Sequence, residues 1–495
     1  MPQFEIPNPD QLVMLQYVYL RSIVSENPTV NLINSVVDRL DTLLFEAAYN
    51  TEAARGNEPI HPKTIIKVCL YALHRGRFTT RKMEQDTTYD VGYMFLTGCR
   101  TIDHTTFSKF LSRFRHEVVD LFSQVVGVCQ KENLMDFKVL ATDSVKLRAN
   151  ASYKQQKNES GLDKTCQRVR EKIEQLIDNA DRKDYSGCDG NITDAERKKQ
   201  LRRLEKRDRK LNKAMGILQE RLAKATDGKS ETEAAELKEK LTVNVTDTDA
   251  QIMQQRNGEH NPAYSITTTT DTKSDIITGF QVHLSDNDGQ ALTPAIEDSH
   301  KNTGQYHEYY PADSAHNTIE NLEYLEENGL NGLLPDKRTE VVRLGITAKG
   351  EYDRSNFRFD SAAKSYICPQ QQALSYTGKL TVNGRSASRY ANPQACSQCP
   401  MRAKCTKAQC RVLIRDDNEI VRERMRSNLA EEENKSIYKL RAHSAESPYG
   451  CIKRNWRFLC LLRRGMDKVS MECALLFSLH NILKTARPRD CCYAT

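Results

Sequence analysis

The sequence predicts an α/β core that follows an all-helical N-terminal domain and carries two insertions, one helical and one rich in cysteine. Three observations carry this prediction. Before residue 130 the apolar residues recur at three-and-four spacing, the mark of helix faces buried on one another. Two stretches, 139–143 and 308–334, join short apolar strands to an aspartate, and the second adds a helix and a further strand. A charged, heptad-spaced segment and a cluster of five cysteines break the strand pattern. At 495 residues the chain exceeds one compact core. Its parts are expected to be a helical domain at 1–130, core segments at 131–162 and 242–345, a helical insertion at 163–241, a cysteine-rich insertion at 346–432 and C-terminal helices at 433–495.

In the helical domain, Leu32, Ile33, Val36, Val37, Leu40, Leu43, Leu44, Ala47 and Ala48 make one amphipathic face across 31–49. Pro62 opens a helix that buries Ile65, Ile66, Cys69, Leu70 and Leu73, with Gly76 as its stop. Another helix follows Asp103 and carries Phe107, Phe110, Leu111, Phe114, Val118, Phe122 and Val126. Short helices joined by polar turns have a helix-turn-helix flavour. Arg75, Arg77, Arg81, Lys82, Lys109, Arg113 and Arg115 are either a solvated face or a DNA contact.

The core opens with Val139, Leu140 and Ala141, a buried strand that ends on Asp143, with Lys146, Arg148 and Asn150 just beyond. A carboxylate at a strand end beside basic residues presents a metal ligand next to a polyanion; a helix cap or surface turn is the plainer alternative. Residues 264–270 and 276–284, joined by the turn 271–275, predict a β-hairpin. A strand at 308–312 then leads to Asp313, a capping box at Asn317 and Glu320, a helix burying Ile319, Leu322 and Leu325, and a strand at 332–335. That is a βαβ unit with Asp313 at the carboxyl end of its first strand. Pro311 argues against a fully central strand, because it cannot donate to the ladder.

Between the core segments, Val169, Ile173, Leu176 and Ala180, and after a break at Gly187 and Gly190, Leu201, Leu204, Leu211, Met215, Leu218, Leu222 and Ala225, form a heptad seam interrupted by Asp208. Capping boxes at Thr193/Glu196 and Ser230/Glu233 open its helices. A helical hairpin or coiled coil is expected, serving self-association or a grip on DNA. Further on, Cys368, Cys396, Cys399, Cys405 and Cys410 crowd a polar stretch. Thiolate ligation of a structural zinc ion fits the first four, with Cys410 spare, and would hold together a segment too polar to fold by core burial.

Near the C-terminus stand Tyr438, Arg441, Glu446 and Lys453, with Pro448 and Gly450 predicting a short or irregular helix start. Glu446 and Lys453, seven residues apart, share a helix face at a separation of about 10.5 Å along the axis. Arg454, Trp456, Arg457, Arg463, Arg464 and Lys468 follow. The single tryptophan either stacks on an unpaired base or is plain core. The final helix, 471–483, is apolar enough to pack on the sheet.

The net charge of +7 is compatible with nucleic acid, and fifteen cysteines without a signal-peptide pattern point to metal ligands or reduced thiols in a cytoplasmic protein. No run of about 18 apolar residues predicts a membrane span. Two strand-end aspartates and a helical glutamate are what a two-metal site requires, its hard oxygen ligands holding Mg²⁺ or Mn²⁺ ions about 3.5–4 Å apart.

On these residues the chain resembles the DDE transposases of bacterial insertion sequences, in the branch whose third acid lies in a Tyr-Arg-Glu-Lys motif. Tyr438, Arg441, Glu446 and Lys453 match that motif, with four residues between Arg441 and Glu446 where the strict form has three. The stretch 143–152 resembles the first-acid block. Residues 311–314 resemble the second, although Ala315-His316 replaces its usual Gly-Tyr. Gly98 with 103–107 resembles the N-terminal helical domain. The resemblance implies an RNase H-like core, Asp143, Asp313 and Glu446 as Mg²⁺ or Mn²⁺ ligands, and Arg441 and Lys453 as DNA contacts, with Tyr438, Lys146, Arg148, Arg454, Trp456 and Arg457 around them. It implies cleavage of double-stranded DNA at element ends and joining to a target by a nucleoid-associated protein, dimeric when two ends are held. A catalytically silent DNA-binding regulator and a nuclease that cuts without joining are the alternatives.

Overall fold

Local signals set most helix ends in the computed structural model, which describes residues 17–48, 59–186, 193–255, 257–285, 288–336, 350–382, 385–416 and 419–486. Asn27 accepts the Val30 N–H to cap helix Pro28–Asp38, and Asp103 accepts from Thr105 and Thr106 to cap His104–Arg113. Pro62 opens Pro62–His74, and Gly76 follows it with φ 65°. A Cβ on Gly76 would lie 2.9 Å from the Trp456 carbonyl oxygen, so a glycine is needed where this domain meets the C-terminal segment.

Two predicted helices are broken. The face expected across 31–49 stops at Asp38, because Asp41 takes the Leu43 N–H and starts a separate helix, Leu43–Ala47. Leu43 and Leu44, expected to be buried, are each 67% exposed; Tyr49 lies outside the described residues. The Phe107–Val126 series divides at Phe114, whose ring packs between Phe45 and Phe110 while the next helix, Arg115–Lys131, sets off anew.

The core is a mixed α/β structure. Strand β1 (Leu140–Arg148) is followed by the small pair β2 (Gln156–Lys157) and β3 (Val243–Asn244), then β4 (Gln251–Gln254), β5 (His260–Asp271) and β6 (Ile276–His283). β5 pairs antiparallel with β1, with β6 and, at its start, with β4. The predicted hairpin is therefore β5–β6. Strands β7 (Tyr309–Pro311) and β8 (Asn331–Leu333) pair in parallel around helix Ile319–Glu327, the expected βαβ unit, and a parallel bridge from Val139 to Tyr309 sets β7 beside β1. Pro311 ends its strand, where no donor is lost inside the ladder. Thr318, not Asn317, caps the helix.

One prediction about the core fails in an informative way. β1 does not end at Asp143 but runs on to Arg148, placing Asp143 fourth of nine residues and opposite Thr268 of β5. The alternation of Val145 and Leu147 with Ser144 and Lys146 keeps the strand half-buried past the charged residues. Val145, Leu147, Ile266 and Phe280 join an apolar cluster with helices Arg115–Lys131 and Met466–Lys484. Leu140 and Tyr310 join another with Leu292, Leu322, Val421 and Met425. The Asn481 side chain accepts from Ile277 N–H and donates to its carbonyl, tying the last helix to β6.

Helices Glu159–Ser186 and Asp194–Thr226 pack along the predicted seam, with Leu162, Cys166, Val169, Leu211, Leu218 and Leu222 buried between them. Both capping boxes form, and Asp208 is tolerated in the seam by Arg170, 3.5 Å away. Gly187, Gly190 and the side chain of Ala180 lie outside the described residues.

The cysteine-rich stretch is not the coreless segment expected. β9 (Arg358–Asp360), β10 (Ser365–Ile367), β11 (Ala373–Val382), β12 (Arg385–Ala391) and β13 (Val412–Asp416) form an antiparallel sheet in chain order. Phe357, Tyr366, Leu374, Tyr390 and Leu413 are its core. Nor does Pro448 open a short helix: it lies inside helix Glu432–Gly450, near the C-terminal end. Lacking an N–H, it cannot make the helical bond to the carbonyl four residues back, and the chain widens into a π-helical turn, Cys451–Asn455. Among the described residues no helix is long and apolar enough to cross a membrane.

Candidate active site

The two aspartates meet where β7 runs beside β1. Asp143 is held by the β1–β5 ladder, while Asp313, two residues past β7, accepts the Ala315 N–H and caps the turn Ser314–His316. Arg441 enters from helix Glu432–Gly450. Its Nη2 lies 3.0 Å from Asp143 Oδ1 and 3.8 Å from Asp313 Oδ2, and its Nε donates to the Thr142 carbonyl at 3.2 Å. Eight residues on, Tyr449 fixes the same helix to β5, its hydroxyl 2.7 Å from Thr268 Oγ1 and 3.3 Å from the Ile266 carbonyl. Burial, and then the charge of Asp143, push the Tyr449 phenol far above its ordinary value, so it stays protonated.

Glu446 is not drawn into this contact. Five residues after Arg441, it is turned about 140° around the helix axis and is exposed. Among the described residues no three His, Cys, Asp or Glu side chains stand close enough together to hold a metal ion. The acids the sequence singled out are therefore a closed pair plus one apart.

Lys146, Arg148 and Lys453 line one open cleft of about 440 Å³ beside β1, together with Gln254, Gln255 and Asp288. Arg454 and Arg457 are exposed and Tyr438 is half-buried. Trp456 is 3% exposed and belongs to the core, so the stacking role gives way to the plain alternative. In the helical domain several of the basic residues are engaged internally. Arg77 forks onto Asp86 with two 2.7 Å bonds, Arg75 faces Asp90, and Arg115 faces Asp467. Arg81 and Lys82 are exposed.

Sequence reasoning missed three neighbours. The His316 ring is fully buried with Nε2 3.8 Å from Asp313 Oδ1; burial lowers its pKa against the pull of Asp313, leaving it neutral at neutral pH. His283 and Asp288 join a relay from Ser144 through Thr267: Ser144 Oγ to Thr267 Oγ1 is 2.7 Å, Thr267 Oγ1 to His283 Nε2 3.0 Å, and His283 Nε2 to Asp288 Oδ1 3.7 Å. The signal available was the polar run 285–288 that soon follows the histidine at 283.

Elsewhere, Cys368, Cys396, Cys399 and Cys405 line one small cavity of about 30 Å³. Cys368 Sγ accepts the Gln372 N–H at 3.3 Å, and the Cys399 N–H turns back onto the Cys396 carbonyl. Burial raises the Cys405 pKa; Arg411 opposes it, and the other three thiols add to it.

Residues 367–486 match the transposase DDE domain family, and residues 18–113 match a second transposase domain family, DUF772. The first segment contains the four thiols, Arg441, Glu446 and Lys453; Asp143 and Asp313 lie outside both. No curated protein and no solved structure matches the chain. A transposase domain family thus matches near each end of the chain, and together the two matches support a DDE transposase of an insertion element.

Proposed function

We propose that this transposase cuts double-stranded DNA at the ends of its element and joins the 3′ ends to a target by divalent-metal-assisted phosphodiester transfer, in an RNase H-like core. The observation that carries the reading is the meeting of Asp143 and Asp313, remote in sequence, around one shared cation, the Arg441 guanidinium. Two carboxylates already gathered about a positive charge are a donor set of the hard-oxygen kind that Mg²⁺ or Mn²⁺ takes. When bound there, such ions supply an activated attacking hydroxyl and charge stabilisation for the leaving oxygen. The chain's own part is to fix Asp143 on a paired strand, to orient Asp313 by its cap, and to lead the phosphates along Lys146, Arg148 and Lys453. Glu446, by its place in the Tyr-Arg-Glu-Lys motif, is the third ligand.

Asp143→Asn and Asp313→Asn should each lower Mg²⁺-dependent cleavage of the gene's own flanking DNA by about 10³-fold, a barrier of ~4 kcal/mol, while end binding persists. Undiminished cleavage in either variant overturns the assignment. The second reading, a silent DNA-binding regulator, is favoured by the outward position of Glu446. It requires end binding with no strand cleavage under any divalent ion. A strand-transfer assay separates transposition from cutting alone.

We also propose that Cys368, Cys396, Cys399 and Cys405 hold a structural zinc ion. Their shared cavity, the N–H bond to Cys368 and the unfavourable crowding of thiols support this. The thiols must draw closer together to ligate. Metal analysis of undenatured protein that finds no zinc removes the proposal.

A further inference from the structure

We infer that Arg441 is a positioning residue of the metal site, an internal cation that holds Asp143 and Asp313 together until a divalent ion takes its place, and not a DNA contact. The inference rests on the function proposed above and reassigns one residue within it.

The geometry ties this arginine to the two acids. Its side chain is 18% exposed, and the donors on Nε and Nη2 are spent on β1 itself, one on the Thr142 carbonyl and one on Asp143. A guanidinium bound to a strand carbonyl and a carboxylate is poorly placed to reach a phosphate, whereas Lys146, Arg148 and Lys453 border an open cleft. Without a cation, two neighbouring carboxylates repel each other. Arg441 relieves that repulsion at 3.0 Å from one and 3.8 Å from the other.

A divalent ion meets the same need with twice the charge and direct bonds to both acids, so it and Nη2 compete for one position. Displacing Nη2 leaves the Nε bond to Thr142 in place, which keeps the arginine anchored beside the site. The metal-competent state is then only part of the population, and the apparent metal affinity is lowered by that fraction.

The test is Mn²⁺ binding to the full chain, read from free Mn²⁺ by electron paramagnetic resonance. It is paired with binding of the gene's own flanking duplex in EDTA, for wild type, Arg441→Ala, Arg441→Lys and Asp143→Asn. Arg441→Ala should bind Mn²⁺ more tightly by about three- to tenfold and hold the duplex as wild type does. Arg441→Lys, which keeps the charge but not the fork, should shift Mn²⁺ affinity the same way by less, and it decides the matter if the alanine variant does not melt cooperatively. A duplex affinity that falls about tenfold with Mn²⁺ binding unchanged overturns the inference and restores Arg441 to the DNA. If Asp143→Asn weakens Mn²⁺ binding while neither Arg441 variant alters it, the inference alone fails. If Asp143→Asn leaves Mn²⁺ binding intact, the metal site itself is refuted.

Discussion

Two places in this molecule gather ligand-type side chains from separate stretches of chain, and they are built in opposite ways. Around Asp143 the scaffold is complete without the ligands: β1 is paired along its length with β5, and apolar clusters pack the helices around it. Around Cys396 the scaffold is thin, five strands over a core of five apolar residues, with the thiols set about a small cavity at its side. Where burial has already fixed the backbone, polar ligands are free for chemistry. Where burial is scarce, ligands are needed to hold the fold. Carboxylates stand in the first place and thiols in the second, as hard catalytic and soft structural ions would require.

The largest test of this contrast falls on Glu446. If the carboxylate side is the chemical one, Glu446→Gln should lose cleavage as deeply as Asp143→Asn, about 10³-fold, with an unchanged melting temperature, because an exposed side chain contributes little to the fold. Cleavage within about twofold of wild type would leave the glutamate a surface residue and the site a two-acid one.

The thiol side should respond in the reverse sense. Cys396→Ser, or chelation of the wild type, should expose residues 350–416 to protease while the rest of the chain keeps its melting transition. Activity should fall less than in the carboxylate variants. A protease pattern identical to wild type would show that the aromatic core of β9–β13 suffices, and the contrast between the two regions would collapse.

Much of the first region was legible in the sequence and little of the second. The hairpin β5–β6, the βαβ unit around Asp313 and the seam of the long helices follow from apolar spacing, which survives because those elements are packed on a defined face. The sheet β9–β13 hid because its strands alternate Ser, Arg, Lys and Tyr, and its core is supplied partly by ring edges and by Arg415 stacked over Phe359 at 3.8 Å. At the site, the aspartates could be named but not the shape of their meeting. Asp143 was read as a strand end because the apolar run stops there, yet Val145 and Leu147 carry the strand on. His316 lies only three residues from Asp313 and His283 five from Asp288, but the link from His283 through Thr267 to Ser144 comes from strand pairing far along the chain. Trp456 shows the converse error: a basic neighbourhood suggested DNA, while the fold put the ring in the core.

The smallest effect concerns a carboxylate within the scaffold itself, and it sharpens what makes the Asp143 pair different. Glu472 is fully buried in the last helix and accepts the backbone N–H groups of Leu462 and Arg463. Burial pushes its pKa up to about 7 from 4.5, against the pull of those N–H groups and of Arg463. An acid whose folded pKa is raised binds more protons folded than unfolded between those two values. Its contribution is therefore most favourable below about pH 4.5 and declines as pH climbs to about 7, beyond which it is level, a loss of up to about 3 kcal/mol. Glu472→Gln should remove that slope from a plot of melting temperature against pH, while leaving Mn²⁺ binding untouched. If the slope persists in the variant, the buried acid is already paired in a way that cancels its desolvation, and the line drawn here between scaffold and site carboxylates does not hold.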